Sequence, residues 1–316
     1  MNGETDKKSW QKGMLTGYAC GLATAAAAAL CIWAALGGLG LKARLHGHTI
    51  GMLHKTEAVK VKQGFPSLPE RYSLVNDEGE NVFVPVYKDV EKSAYDWDSL
   101  TVMNNYKYYA PDGTKQCKIG IDVSRYQSDI DWAKVKESGI QFVMIRAGYR
   151  GYGKSGKIMP DEMFEKHMQG AQAAGLDVGV YFFSQAINKK EAEEEADYVL
   201  QLIQDYKITY PVAFDSEKVE NDQGRANELS VEERTEIVKA FLDKVEQSGY
   251  EPMVYANDRW FALNLDLREL TDYKLWLASY RDKPVFPYRM DVWQHTNSAT
   301  VPGISGKIDM NIWFTE

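Results

Sequence analysis

The chain is predicted to be an α/β protein, a TIM-like (β/α) barrel of eight strands preceded by a transmembrane helix and a short stalk. Three observations predict it. From Gly13 to Leu41 no residue is charged, and about twenty apolar residues cross a hydrocarbon core of about 30 Å. Beyond Lys118, short runs of β-branched and aromatic residues recur eight times. Helix-period stretches separate the first five of these runs, the alternation that builds a sheet closed by helices.

The elements follow in order. Residues 1–12 are polar and carry Lys7, Lys8 and Lys12. They are expected to stay in the cytoplasm while residues 13–41 span the membrane as an uncleaved anchor and the bulk of the chain lies outside. A cleaved signal peptide is the competing reading: the run is alanine-rich and offers A-x-A sites, although such apolar cores are normally about 7–15 residues. Lys42 and Arg44 blunt the charge asymmetry across the run. Residues 42–116 are expected to form an extracellular stalk with one small β-hairpin. Tyr72–Val75 and Val82–Tyr87 would be its strands, around the polar turn Asn76–Asn81, with Pro85 confining the second strand to an edge.

The barrel is expected over 117–316. Its strands are Ile119–Val123, Phe142–Ala147, Val178–Phe183, Val212–Phe214, Met253–Ala256, Leu275–Ser279, Val292–Gln294 and Ile308–Ile312. Its helices are Trp132–Glu137, Asp161–Ala174, Lys189–Tyr206 and Ser230–Gln247. The last opens with Ser230 and has Glu233 three residues on, a capping box. The acidic run Glu191–Glu195 reads as a solvated helix face, and Met144, Met253 and Met310 as packing residues.

Composition excludes several functions. A net charge of -8 without a Lys/Arg-rich run argues against nucleic acid as a partner. Cys20 and Cys31 lie in the apolar run, leaving Cys117 alone, so neither a disulfide framework nor a cysteine metal site is available in the remainder. The five histidines form no metal-binding motif, and His46 and His48 are read as membrane-proximal chain. No metal or organic cofactor is implied.

In such barrels the site lies at the C-terminal strand ends. There the chain places Asp122, Asp215, Glu217 and Asp309, with tyrosine, tryptophan and glutamine around them. Asp215 and Glu217, at i and i+2 where an apolar strand runs out, should share a face. Carboxyls crowded together have their pKa values pushed apart, which suits chemistry needing one protonated and one ionised acid. Acids with aromatics, without a Ser/His/Asp order or a phosphate-cradling glycine loop, compose a carbohydrate site. Tyr181 and Tyr255 either bound sugar subsites or line the barrel. Tyr280 and Gln294 are further candidate substrate contacts, and Arg146 either touches substrate or pairs with the acidic rim. Trp276 reads as core.

Gly120-Ile121-Asp122-Val123-Ser124-x-x-Gln127, Phe142-Val143-x-x-Arg146-Ala147, Asp215-Ser216-Glu217, Leu275–Tyr280, Trp293-Gln294 and Gly303-Ile304-x-Gly306-x-x-Asp309-x-Asn311 together resemble family 25 glycoside hydrolases, the Chalaropsis-type lysozymes or N-acetylmuramidases. The likeness covers about residues 118–314. It implies a flattened barrel of eight strands and about five helices that hydrolyses the β-1,4 bond from N-acetylmuramic acid to N-acetylglucosamine in peptidoglycan. It also implies Glu217 as general acid, Asp215 as the carboxylate assisting the substrate's 2-acetamido group or the developing positive charge, and Asp122 and Asp309 as flanking aspartates. Residue spacing alone leaves open both which acid holds the proton and whether configuration is retained. The expected protein is a monomeric, anchored hydrolase that acts on peptidoglycan glycan strands in remodelling its own wall. A non-catalytic glycan-binding protein on the same barrel, or a glycosidase for another N-acetylated glycan, are the alternatives.

Overall fold

The computed structural model describes residues 70–76, 79–220 and 223–315. The basic tail, the expected membrane span and the first part of the stalk lie outside them. Among the described residues no helix is long and apolar enough to cross a membrane.

Two hairpins come first. Strands β1 (Arg71–Val75) and β2 (Asn81–Pro85) pair antiparallel with Tyr72 opposite Val84, as the sequence indicates. Strands β3 (Leu100–Met103) and β4 (Tyr106–Tyr109) form a second hairpin that was not anticipated. Its turn is Asn104-Asn105, with φ of 53° and 65°, which asparagine tolerates in two-residue hairpin loops.

The barrel then runs β5 (Cys117–Val123), α1 (Trp132–Glu137), β6 (Phe142–Arg150), β7 (Ile158–Pro160), α2 (Phe164–Ala173), β8 (Asp177–Phe183), α3 (Lys189–Ile203), β9 (Val212–Asp215), α4 (Val231–Gln247), β10 (Pro252–Asn257), α5 (Asp258–Leu263), β11 (Lys274–Ala278), β12 (Val292–Ala299) and β13 (Ile308–Phe314). Eight strands close in the order β5-β6-β8-β9-β10-β11-β12-β13, with β13 returning to β5 and the short β7 added outside β6. Five helices accompany them. Ser230 and Glu233 make the reciprocal capping box at the start of α4. The last strand departs from the parallel order, because β13 runs antiparallel to both β12 and β5. Its first residues therefore lie at the rim where the other strands end, and Asp309 stands opposite Asp122.

Alternation along each strand divides the apolar residues into two cores. Ile119, Ile121 and Val123 point outward into the layer shared with the helices. Phe142, Met144, Ala213, Met253, Trp276 and Val292 fill the barrel interior. Gly120 makes room for that filling, since a Cβ there would lie 2.4 Å from the Phe142 ring.

The stalk expectation is corrected over its described part. Among the described residues no α-helix connects β11 to β12, β12 to β13, or β4 to β5, so strands on that side need another cover. Residues 86–116 supply it. Tyr95 stacks on Phe314 at 4.0 Å, Trp97 meets Trp293 edge-on at 5.7 Å, and Tyr106, Tyr108 and Tyr109 are buried in the common core. The Tyr95 hydroxyl donates to the Met290 carbonyl at 2.7 Å, and the Tyr87 amide donates to the Tyr288 hydroxyl at 2.8 Å.

The acidic run on α3 is also not uniformly solvated. Glu195 is fully buried beside Ala192, Ala196 and Val199. It accepts from Arg150 Nε at 2.6 Å and from the Ser184 hydroxyl at 2.6 Å, while Glu191 pairs with Arg225 at 2.8 Å. The helical period places Glu195 on the inner face, where only a buried partner such as Arg150 makes a carboxylate tolerable.

Candidate active site

The barrel interior becomes polar toward the rim, where a cavity of about 470 Å³ is lined by Asp122, Asp215, Glu217 and Asp309. The structure thus brings the four sequence-predicted carboxyls to one place. Tyr181, Tyr255, Tyr280, Gln294 and Arg146 line the same cavity.

Strand β9 ends at Asp215, so Glu217 lies just past the strand rather than in it. Alternation nevertheless persists for one more step. The Ser216 amide donates to the Tyr255 carbonyl at 3.0 Å, and the Ser216 hydroxyl accepts from Trp260 Nε1 of α5 at 2.7 Å. With Ser216 tied toward α5, Asp215 and Glu217 are left on the cavity side. Their side chains are hydrogen-bonded to each other. Two carboxyls in that contact must hold a proton between them. Burial, with the charge of Glu217 next, pushes Asp215 well up. Burial also raises Glu217; the hydrogen bond with Asp215 opposes that rise, and Asp309 adds to it. Asp215 Oδ1 is buried without a hydrogen-bond partner, a cost usually tolerated where a ligand completes the bonding.

Asp122 is held differently. Its Oδ2 accepts from Gln294 Nε2 at 2.9 Å and Asn311 Nδ2 at 2.8 Å. Both amides are oriented from behind. Trp276 Nε1 donates to Asn311 Oδ1 at 2.8 Å, and the hydroxyls of Tyr255 and Tyr280 donate to Gln294 Oε1 at 3.0 and 2.8 Å. Trp276, expected as core, is fully buried and also orients this network. The two amide bonds favour the ionised Asp122, but burial and then Asp309 outweigh them and push it up to about 8. Burial raises Asp309 to about 6.

Arg146 pairs with Asp161 rather than directly with the acids, its Nε 2.7 Å from Asp161 Oδ2. Its positive charge still reaches Asp215 and opposes the rise there. Asp161, read from the sequence only as the start of a helix, sits just before α2. Also missed were Tyr126, Tyr149 and Tyr152, which form one cavity wall. Arg125 lies over the rings of Tyr126 and Tyr149 at 5.3 and 5.2 Å, and Arg146 over the same rings at 5.4 and 5.5 Å. Tyr126 is 73% exposed, its ring held by the two guanidinium groups. Three tyrosines near two strand ends were the available signal.

The arrangement couples a proton-sharing acid pair to two further acids that raise it. Asp309 presses on both Glu217 and Asp122. Removing that negative charge makes proton loss from the acid form easier, so the acid form disappears at lower pH. Asp309→Asn is therefore expected to move the alkaline limb of kcat/KM toward lower pH, as measured by a full pH profile. An unmoved limb would show that Asp309 does not act on the proton donor.

Comparison with known proteins comes to the same barrel. Residues 121–304 match the family model Glycosyl hydrolases family 25. The uncharacterized protein YegX of Escherichia coli (strain K12) is 31% identical over 205 residues, which is 61% of this chain and 68% of YegX. The autolytic lysozyme of Clostridium acetobutylicum is 28% identical over 193 residues, 61% of this chain and 54% of that protein. The modular autolysin LytC of Streptococcus pneumoniae shares the fold with a TM-score of 0.58 at 20% identity, over 77% of this chain and 61% of LytC. The chain thus spans only about half to two thirds of the length of these relatives.

Proposed function

The chain belongs to glycosyl hydrolase family 25, and from that premise we propose that it is an N-acetylmuramidase cleaving the β-1,4 bond from N-acetylmuramic acid to N-acetylglucosamine. The observation that supports this reading most is the hydrogen-bonded Asp215–Glu217 pair in a cavity that also holds Asp122 and Asp309. A glycosidic oxygen is a poor leaving group at neutral pH and needs a proton delivered to it, while the sugar needs negative charge near its oxocarbenium-like centre. In this reading Glu217 donates the proton. Asp215 is not given the part of a direct nucleophile in this reading. It instead orients the substrate's 2-acetamido group, whose oxygen attacks the anomeric carbon as the glycosidic bond breaks and the proton passes to the departing oxygen. Water, activated by Glu217 as base, then opens that intermediate with net retention. Asp122 and Asp309 keep the pair protonated, and Tyr181, Tyr255, Tyr280 and Gln294 contact the sugars.

Residues 13–41 anchor the enzyme in the membrane, with the barrel outside on the wall side. Such a tether suits remodelling of the cell's own envelope better than lysis of other cells. Cell fractionation that recovers only a shortened, soluble product would replace the anchor with a cleaved signal.

The test of the function is a digest of purified peptidoglycan, with new reducing ends reduced by borohydride and read by mass spectrometry. Muramitol ends are expected. Glucosaminitol ends would assign a different bond, and binding without new ends would make the barrel a glycan-binding module.

A further inference from the structure

Glu217 lines three hollows rather than one. Beside the main cavity lies a groove of about 280 Å³ walled by Asn76, Val82, Lys218, Asn257, Arg259 and Trp260. Another, of about 470 Å³, is walled by Val75, Tyr255, Arg259, Tyr280 and Arg281. Of the four site carboxyls only Glu217 reaches these grooves; Asp122, Asp215 and Asp309 line the main cavity alone. A proton donor stands beside the bond it breaks, so the sugar that becomes positively charged lies among the other acids. The departing half of the strand must then run past Glu217 into the two grooves.

Their far wall is the β1–β2 hairpin, which lies outside the family-matched residues 121–304. The hairpin is seated firmly. Leu74 and Val84 are buried, and Arg259 Nη1 donates to the Asn76 carbonyl at 3.3 Å. Its other face remains open, with Val75 38% and Phe83 68% exposed. The rim carries both signs of charge: Lys218, Arg259 and Arg281 against Asp258 and Glu220. Arg281 is paired to Asp258 at 3.5 Å with its side chain 47% exposed. Sugar hydroxyls can hydrogen-bond to such a rim, but only a peptide bearing amino and carboxylate groups also complements its charges of both signs.

We propose that the β1–β2 hairpin and Arg281 form a specificity wall that recognises the departing half of the glycan strand together with its peptide substituent. The inference rests on the muramidase reading and adds the peptide-bearing side to it.

The test compares the full chain with its Val75→Glu and Arg281→Ala variants on two substrates. One is uncrosslinked glycan strands carrying their stem peptides; the other is the same strands stripped of peptide by an amidase. The ratio of kcat/KM on peptide-bearing to stripped strands is expected to fall about tenfold in both variants, with the loss carried by KM. An unchanged ratio, or an equal loss on both substrates accompanied by a lower Tm, would overturn the wall and leave the hairpin structural. A parent protein that cleaves neither substrate would instead sink the muramidase reading beneath it.

Discussion

Replacing Glu217 by Gln is expected to leave a folded protein that has lost about 10³-fold of its kcat on peptidoglycan, the scale of losing a positioned general acid. The substitution keeps the shape and one donor for Asp215 while removing the transferable proton. The effect on stability has a definite sign. A carboxyl whose pKa is raised on folding contributes stability that is present below its unfolded value, near 4, and lost as pH rises through the folded value. Glu217 is such a group, and Gln has no proton to lose. The Tm at pH 7–8 is therefore expected to equal or exceed that of the parent, and calorimetry beside the peptidoglycan digest reads both effects. A variant that keeps a tenth or more of parental kcat would remove Glu217 as proton donor. A fall of Tm with the activity would make its role structural.

Cutting the chain at the start of β5 is expected to produce a protein, residues 117–316, that does not fold cooperatively. The cut removes Val86, Val90, Tyr106, Tyr108 and Tyr109 from the core and uncovers Phe314 and Trp293. At about 1.5–3 kcal/mol for each buried side chain, the loss is on the order of 10 kcal/mol, comparable to the whole stability of a domain. Near-UV circular dichroism and thermal melts of residues 70–316 beside 117–316 measure the difference. A sharp melt and near-parental activity from 117–316 would show that residues 70–116 merely decorate the barrel.

The fold was largely legible because strand periodicity is local. All eight barrel strands were found within a few residues, and α1 and the capped start of α4 were located closely. What escaped depends on partners distant in sequence. The direction of β13 follows from its pairing with β12 and β5, which no local pattern encodes. Residues 86–116 looked like a stalk because their aromatics are scattered among polar residues, and only the helix-poor side of the barrel gives those rings something to cover. Glu195 looked solvated in an acidic run, although its spacing from Ala192 and Val199 already put it on the buried face; Arg150, 45 residues away, makes that burial tolerable.

The site divides along the same line. Sequence alone determined that Asp122, Asp215 and Glu217 stand where apolar strands run out, since alternation and strand termini fix that position, whereas Asp309 reaches the same rim only because β13 runs antiparallel. Tertiary structure decided what each carboxyl experiences. The contact between Asp215 and Glu217 depends on Ser216 being drawn to Trp260 of α5, and the two amides on Asp122 depend on Trp276, Tyr255 and Tyr280 turning them. Burial and neighbouring charge set proton affinity, and both come from residues brought together by closing the barrel rather than by order along the chain.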